Sequence, residues 1–431
     1  MPMNNWMTEL YNLIAPGTGG PGVLGINTAF GDRLLHQLVI PGTHDAGCYL
    51  NHHNPVSYMS QTQDLTIAQQ LDHGIRYLDL RPARYWAITR RRWEYWTYHG
   101  PSNTNLPTYY GGRLDTAAGI LQEIAQFMHD HRGDQELVIL NFSHYRGFDQ
   151  NVHADFINLI QDYLWDFLVP HTQNGINIGA TTYNNLLIEP EDTPIPDRPR
   201  DAPASLPAAP HGGYGAGPRS RVLVVYDGAL DQDREPIPLA GNASIVRKHG
   251  FWILDPKYPA AGIGAGALYP GPNTLKLFDQ YAGSGNLDTM RTDQLTKLTY
   301  RAGLPYTRAP WAPAANWNAN AVSGVANTMH LFSWTLTPQP KSPVNVARET
   351  TNPALAPLFN RPQIAPSWPT IGRRMYDPQL DPMMNIIYVD VPNSHQRASL
   401  GQWNNYDMPV ALSMYLNRYI AVAPWDDWAN W

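Results

Sequence analysis

Short apolar or β-branched runs recur along the chain, and each is bounded by turn-forming residues such as Gly, Pro, Asn or Asp. Such runs predict β-strands. Several are continuously apolar rather than alternating, which is typical of parallel strands buried on both faces. The eight predicted strands are 36–42, 74–81, 93–100, 136–144, 220–228, 251–255, 329–336 and 385–391.

Amphipathic helical patterns lie between many of these runs. They cover 65–74, 114–131, 153–168, 286–303 and 411–421. Alternation of strands and helices predicts an α/β fold, and eight strands favour a (β/α)8 TIM-type barrel. Only a short loop separates the second and third strands, so at least one helix is missing and the barrel is expected to be distorted.

The chain has one set of strands and no internal repeat, so we expect a single barrel domain over 1–431, with its core at about 30–430. Residues 189–220 are rich in Pro, Ala and Gly and predict an extended surface insertion. Residues 304–328 and 337–370 are rich in Pro, Asn and Trp, which indicates long irregular loops.

Composition excludes several classes of protein. A net charge of −6 with only 15% charged residues argues against nucleic acid as a partner. The single cysteine, Cys48, excludes a disulfide framework and a cysteine-rich zinc site, and we interpret it as a small buried residue. Residues 1–20 lack the basic and apolar pattern of a signal peptide, and no apolar run approaches the ~20 residues that a membrane-spanning helix needs.

Histidines, acids and an arginine stand where four of the predicted strands end. They are His44, Asp45, Asp79, Arg81, His99 and Asp390. The carboxyl ends of barrel strands build the active site in α/β barrels, so we expect these side chains to meet at one rim. Two imidazoles can act as general base and general acid, and a guanidinium can stabilise a phosphoryl group. The set predicts acid–base phosphoryl transfer.

Four segments together resemble the X-domain of phosphatidylinositol-specific phospholipase C. They are IPGTHDAG, TQDLTIAQQLDHGIRYLDLR, YHG and LQEIAQFMHDHRGDQELVIL. The resemblance is close over about 36–145 and looser through VLVVYDG and NIIYVDV. It implies a TIM-type barrel that cleaves phosphatidylinositol at a membrane surface, releasing diacylglycerol and inositol 1,2-cyclic phosphate.

The resemblance also implies a role for each matching residue. His44 corresponds to the general base that deprotonates the inositol 2-hydroxyl, and His99 to the general acid that protonates the leaving diacylglycerol oxygen. Asp45 corresponds to the acidic partner of that acid. Asp390 is similar in context to the carboxylate that orients the base.

Arg81 stands where calcium-dependent relatives have an acidic metal ligand and the small bacterial enzymes have arginine. The resemblance to the bacterial type implies that no metal and no cofactor are needed. Asp79 would then orient Arg81. A metal ion held by the acids is the alternative.

The expected headgroup pocket departs from the family pattern. Bacterial enzymes have a lysine that contacts the inositol ring, where this chain has NFSHYRG, which contains Ser143, His144 and Arg146. Asp255 and Tyr258 resemble inositol-contacting residues only loosely. A different phosphodiester headgroup, including a glycosylated inositol lipid, and a non-catalytic lipid-binding barrel are therefore open alternatives.

Two further expectations concern location. Relatives are often secreted, whereas the missing leader pattern predicts a cytoplasmic protein. The tryptophan-rich segments 311–322 and 425–431 either insert at a bilayer interface or pack against the barrel.

Overall fold

The structure is a computed structural model of the chain. It describes residues 5–13, 29–50, 52, 55–100, 109–169, 178–188, 219–226, 250–256, 274–279, 281–301, 329–336, 341–355, 384–393 and 407–422.

Eight parallel strands form a closed barrel, which confirms the predicted fold class. In order around the barrel they are β1 (Ile40–Thr43), β11 (Ile386–Val389), β10 (Met329–Trp334), β9 (Thr274–Asp279), β8 (Phe251–Pro256), β7 (Arg221–Tyr226), β6 (Leu137–Phe142) and β2 (Tyr77–Leu80). Pairing of Gly42 with Tyr77 closes the ring between β1 and β2. Strands β6 and β7 are buried along their whole length, as their continuous apolar sequences predict.

A helix is present at each of the five positions that the amphipathic patterns indicated, and four further described helices were not predicted. The described helices are α1 (Trp6–Leu13), α2 (Pro55–Ser60), α3 (Ile67–Asp72), α4 (Ile120–Asp130), α5 (Gln150–Leu164), α6 (Tyr183–Leu187), α7 (Leu287–Arg301), α8 (Pro343–Val346) and α9 (Met408–Val422). Helix α3 begins after Thr66, whose hydroxyl accepts from the backbone N–H of Gln69 at 3.3 Å. Helix α4 begins at Ile120, six residues later than the predicted 114, because a turn from Thr116 to Gly119 precedes it. None of these helices is long and apolar enough to cross a bilayer.

A second sheet corrects the prediction for 93–100. That segment forms β4 (Arg92–His99), which pairs antiparallel with β3 (Pro82–Ala87) and β5 (Tyr109–Arg113) outside the barrel. Its first residues, Arg92 and Trp93, are exposed, unlike those of the barrel strands β6 and β7. The aromatic run indicated a strand correctly, but a run of one strand's length carries no information about its partners.

The barrel still has eight strands, because the sequence analysis missed one that lies between β8 and β10. It is β9, with the sequence TLKLFD. Its two leucines alternate with Thr and Lys, and the segment before it, rich in Gly and Pro, favours a loop.

Part of the predicted loop 337–370 is helical. After α8, the chain continues through a π-helical turn at Ala347–Thr351 and a 3-10 turn at Asn352–Ala354. The indole of Trp334 donates to the carbonyl of Thr351 at 2.7 Å, which ties this segment to the end of β10. Residues 189–218, 304–328, 356–370 and 425–431 lie outside the described residues.

Two glycines hold the three-stranded sheet against the loop that follows β1. The N–H of Gly112 donates to the carbonyl of Gly47 at 2.7 Å. A Cβ atom built on Gly111 would lie 2.2 Å from that same carbonyl oxygen. Only glycine allows this close approach, which joins β5 to the segment after His44 and Asp45.

We therefore expect Gly111→Ala to lower the free energy of unfolding by about 1–3 kcal/mol, because the added methyl group must push two backbone segments apart. Gly133→Ala is the matched control, since a Cβ there meets nothing within 4 Å. Urea unfolding of both variants and the parent measures the effect. Equal decreases in the free energy of unfolding of the two variants would mean that the contact between Gly111 and Gly47 tolerates a methyl group.

Candidate active site

The predicted site residues meet at the carboxyl ends of the barrel strands. His44 follows β1 and Asp390 follows β11, and these two strands pair in parallel. The pairing brings His44 Nδ1 to 2.9 Å from Asp390 Oδ1. The N–H of His44 also donates to the carbonyl of Val389 at 3.0 Å, so the backbone and the side chain are both positioned by the same neighbouring strand.

Asp45 lies at the centre of the site and is buried. Its φ of +42° is a left-handed backbone conformation, which is uncommon for a residue with a side chain. One carboxylate oxygen, Oδ1, lies 2.5 Å from Arg81 Nε. The other, Oδ2, lies 3.3 Å from His44 Nε2 and 3.5 Å from His99 Nε2. A single carboxylate therefore contacts both imidazoles and the guanidinium.

Arg81 is held from a second side by Asp79. Arg81 Nη2 lies 3.3 Å from Asp79 Oδ2, and Ser143 Oγ donates to Asp79 Oδ1 at 3.4 Å. The hydroxyl of Tyr388 also donates to Asp79. Arg81 Nη2 lies 3.1 Å from His44 Nε2 as well, so the guanidinium contacts the imidazole and both carboxylates.

His99 enters the site from outside the barrel, where the sequence analysis expected it on a barrel strand. It is the last residue of β4, and the base of this hairpin is closed by the N–H of Tyr98, which donates to the carbonyl of Arg81 at 3.0 Å. His99 Nδ1 lies 2.9 Å from the carbonyl of Ser60 and so carries the proton, which leaves Nε2 facing Asp45. The ring centres of His44 and His99 are 6.3 Å apart.

The two imidazoles have opposite proton affinities. Burial by itself would lower the pKa of His44, but Asp45 and Asp390 outweigh it and raise the pKa to about 9. Burial, with Arg81 and His44 added to it, lowers the pKa of His99 in spite of Asp45. Near pH 7 the free protein therefore holds one proton more on His44 than on His99.

Three donors in this site lie close enough together to hold a metal ion. Ligand atoms of His44, Asp45 and Asp79 are within 4.8 Å of one another. Each of the three side chains is also in contact with the guanidinium of Arg81. A divalent ion at this position would have to displace a positive charge that already binds all of its ligands.

The residues expected to contact the headgroup are only partly described. Ser143 donates a hydrogen bond to Asp79. The side chain of Asp255 on β8 is not described, and Tyr258 lies outside the described residues. His144 follows Ser143 at φ +54° and is exposed, with Nδ1 2.8 Å from Ser143 Oγ. Reduced hydration and then the charge of Arg81 hold the pKa of His144 below its ordinary value.

The sequence analysis did not identify two residues that lie in this region. Tyr388 stands inside the apolar run of β11, where it is indistinguishable from a core aromatic residue. Asp279 ends β9, and the only signal for it was an acid after LKLF. Reduced hydration and then the nearby Asp79 raise the pKa of Asp279.

The chain is similar to PI-PLC X domain-containing proteins and to a bacterial 1-phosphatidylinositol phosphodiesterase over about a third of its length. PI-PLC X domain-containing protein 1 of Homo sapiens is 29% identical over 163 residues, covering 32% of this chain and 46% of that protein. The 1-phosphatidylinositol phosphodiesterase of Listeria monocytogenes is 28% identical over 151 residues, covering 33% of this chain and 40% of that protein. The chain thus spans less than half the length of these relatives. They confirm the resemblance that the motifs carry.

Among solved structures, the phosphatidylinositol-specific phospholipase C from Listeria monocytogenes aligns with a TM-score of 0.49 at 14% identity, covering 97% of this chain and 99% of that chain. No family model matches the chain.

We expect Asp390→Asn to lower the pKa of His44 from about 9 by about one to three pH units, because the variant loses a carboxylate in direct contact with the ring. Histidine NMR titration measures this pKa. Asp134→Asn, which alters a carboxylate 2.7 Å from the remote His131, is the control and is expected to leave His44 unchanged. An unchanged His44 titration in Asp390→Asn would contradict the assignment.

The raised pKa of His44 also has a consequence for stability. A group whose pKa is higher in the folded than in the unfolded protein stabilises the fold below its ordinary pKa. That stabilisation is lost as the pH rises through about 9. The free energy of unfolding should therefore fall as the pH rises through about 9, and this fall should be smaller in Asp390→Asn.

Proposed function

We propose that this protein is a phospholipase C-type phosphodiesterase that cleaves phosphatidylinositol into diacylglycerol and inositol 1,2-cyclic phosphate. The observation that carries the proposal is the contact of Asp45 with His44, His99 and Arg81 together. Two imidazoles at one oxygen of a carboxylate, with a guanidinium at the other oxygen, suit a reaction that needs a base, an acid and a positive charge.

The reaction follows from that arrangement. His44 Nε2 accepts the proton of the inositol 2-hydroxyl, and the oxygen forms a bond to phosphorus. The bond from phosphorus to the glycerol oxygen breaks, and His99 gives its proton to that oxygen. Nucleophile and phosphorus belong to one molecule, so their proximity requires no second substrate. Asp390 holds the His44 ring at Nδ1.

These reaction steps need a neutral His44 and a protonated His99, which is the opposite of the protonation in the free protein. His44 must be neutral to act as the base, whereas Asp45 and Asp390 favour its charged form. A phosphodiester anion bound beside His99 favours protonation of His99. Once His44 Nε2 is deprotonated, it can accept a hydrogen bond from Arg81, whose Nη2 is 3.1 Å away. The rate is therefore expected to follow a bell-shaped pH profile. Its two apparent pKa values describe His44 and His99 together and are not assigned to either residue alone.

Arg81 is the group proposed to stabilise the phosphoryl oxygens in place of a metal. Its planar guanidinium is oriented by two carboxylates, and its side chain is 17% exposed. We propose on this basis that the activity is independent of calcium.

A second candidate keeps the chemistry and changes the headgroup. In the region where bacterial enzymes carry a lysine, this chain has Ser143, His144 and Arg146, and the pKa of His144 is held below its ordinary value. A neutral ring can exchange hydrogen bonds with hydroxyls but adds no charge. This favours tests on glycosylated inositol lipids and on other phosphodiesters with a neighbouring hydroxyl alongside phosphatidylinositol.

We expect His44→Ala and His99→Ala each to lower the rate by about 10²–10⁴-fold, the usual contribution of one acid or base. A water-soluble substrate with a nitrophenolate leaving group separates the two roles, because that group departs without a proton. It should restore much of the rate of His99→Ala and none of that of His44→Ala. The control is His129→Ala, an exposed histidine on α4. Equal rescue of both variants would contradict the assignment of acid and base.

A separate experiment tests whether the activity is independent of calcium. Phosphatidylinositol vesicles are incubated with the protein in excess chelator, and the product is followed by phosphorus NMR. We expect the signal of a five-membered cyclic phosphate, and a rate at least about 10²-fold lower for Arg81→Lys, which keeps the charge but loses the fork of N–H groups. Activity that appears only when calcium is restored would show that the acids bind a metal.

A further inference from the structure

The hairpin of β3 and β4 (82–99) ends in a cluster of exposed apolar side chains. Trp86 and Trp93 are directly opposite each other on the two strands, with ring centres 5.2 Å apart. They are 43% and 49% exposed, and Ile88 in the turn is 75% exposed. Large apolar side chains grouped in this way on a surface mark an interaction site more often than isolated ones do.

The same hairpin is strongly basic. It carries Arg84, Arg90, Arg91 and Arg92 against a single acid, Glu94, for a net charge of +3, whereas the whole chain has −6. Arg90 and Arg92 share the Glu94 carboxylate at 2.9 and 3.4 Å, and their side chains are still 55% and 59% exposed.

The hairpin starts at the mouth of the barrel, next to the site. β3 follows Arg81 directly after β2, and its first residues pair with Arg146, which lies beyond the carboxyl end of β6. The other strand ends at His99. Six residues of extended strand span about 20 Å, so the tip reaches that far from the catalytic groups at the base.

We propose that the tip of this hairpin docks on the surface of an anionic phospholipid bilayer. The proposal rests on the lipid substrate proposed above and adds the element that brings the barrel mouth to it. Tryptophans settle at the boundary between headgroups and acyl chains, and Ile88 at the tip can enter the apolar layer. The arginines on either side of the turn bind the anionic headgroups. The charge complementarity is local, since the chain as a whole would be repelled.

The experiment uses sedimentation of the full chain with vesicles that contain no inositol lipid. One set is pure phosphatidylcholine and the other contains phosphatidylserine as well. The parent protein should bind the anionic vesicles in preference and lose affinity as salt is added. Ile88→Ser should weaken binding about 10-fold or more, because it loses the burial of one large apolar side chain. Arg90→Gln with Arg91→Asn should weaken it by about five-fold for each arginine.

Two conservative variants serve as controls. Ile88→Leu keeps an apolar tip and Arg91→Lys keeps the charge, so both should bind as the parent does. All four variants should turn over a short-chain, water-soluble phosphatidylinositol at the parent rate, since none of these residues touches the site. Failure of the parent to bind anionic vesicles, or unchanged binding by Ile88→Ser and the double arginine variant, would overturn the proposal. A hairpin tip that binds another protein rather than lipid would give these same negative results with vesicles.

The two proposals fail separately. Vesicle binding without turnover of any inositol lipid would refute the proposed reaction and leave the docking surface standing. Turnover with equal vesicle binding by all variants would do the reverse.

Discussion

The buried carboxylate of Asp45 is the constraint on which the site depends. Removing a charge from water costs several kcal/mol, which partners must offset. Burial alone would raise the pKa of Asp45, but Arg81 and the two imidazoles hold it below its ordinary value. The charged carboxylate in turn fixes where Arg81, His44 and His99 lie. Its left-handed backbone conformation is tolerated because these contacts and the N–H of Ala46, which donates to the carbonyl of Asp79, determine the geometry from several sides.

The three groups that contact Asp45 come from two different layers of the molecule. Barrel strands deliver His44 and Arg81 directly, as the parallel pairing of β1 with β2 and β11 requires. His99 comes from an antiparallel sheet whose position depends on the close approach of Gly47 and Gly111. The site is therefore only as well formed as the packing of this sheet against the barrel. The same sheet carries the aromatic and basic tip, so one element connects the acid histidine to the surface.

The electrostatics of the site favour a proton on His44, the imidazole that the proposed mechanism uses as the base. Two carboxylates stabilise the proton on His44, while burial and Arg81 keep it off His99. Under the proposed mechanism, an anionic substrate bound beside His99 would favour the charged form of that imidazole. On this view the substrate itself prepares the acid and the base, and the resting protein is poised with a charged His44.

The sequence by itself determined the barrel and its parallel strands, and it predicted which titratable residues stand where those strands end. Continuous apolar runs such as β6 and β7 can only be satisfied by burial on both faces, and His44, Asp45, Asp79, Arg81 and Asp390 stand at strand ends that any parallel barrel brings together. Tertiary structure alone decided that β4 lies outside the barrel, that β2 pairs directly with β6, that β9 is the eighth barrel strand and that Tyr388 donates to Asp79. A local pattern records whether a strand has apolar faces. Its neighbours are chosen by pairings between residues far apart in the chain, where packing and hydrogen bonding compete over the whole fold.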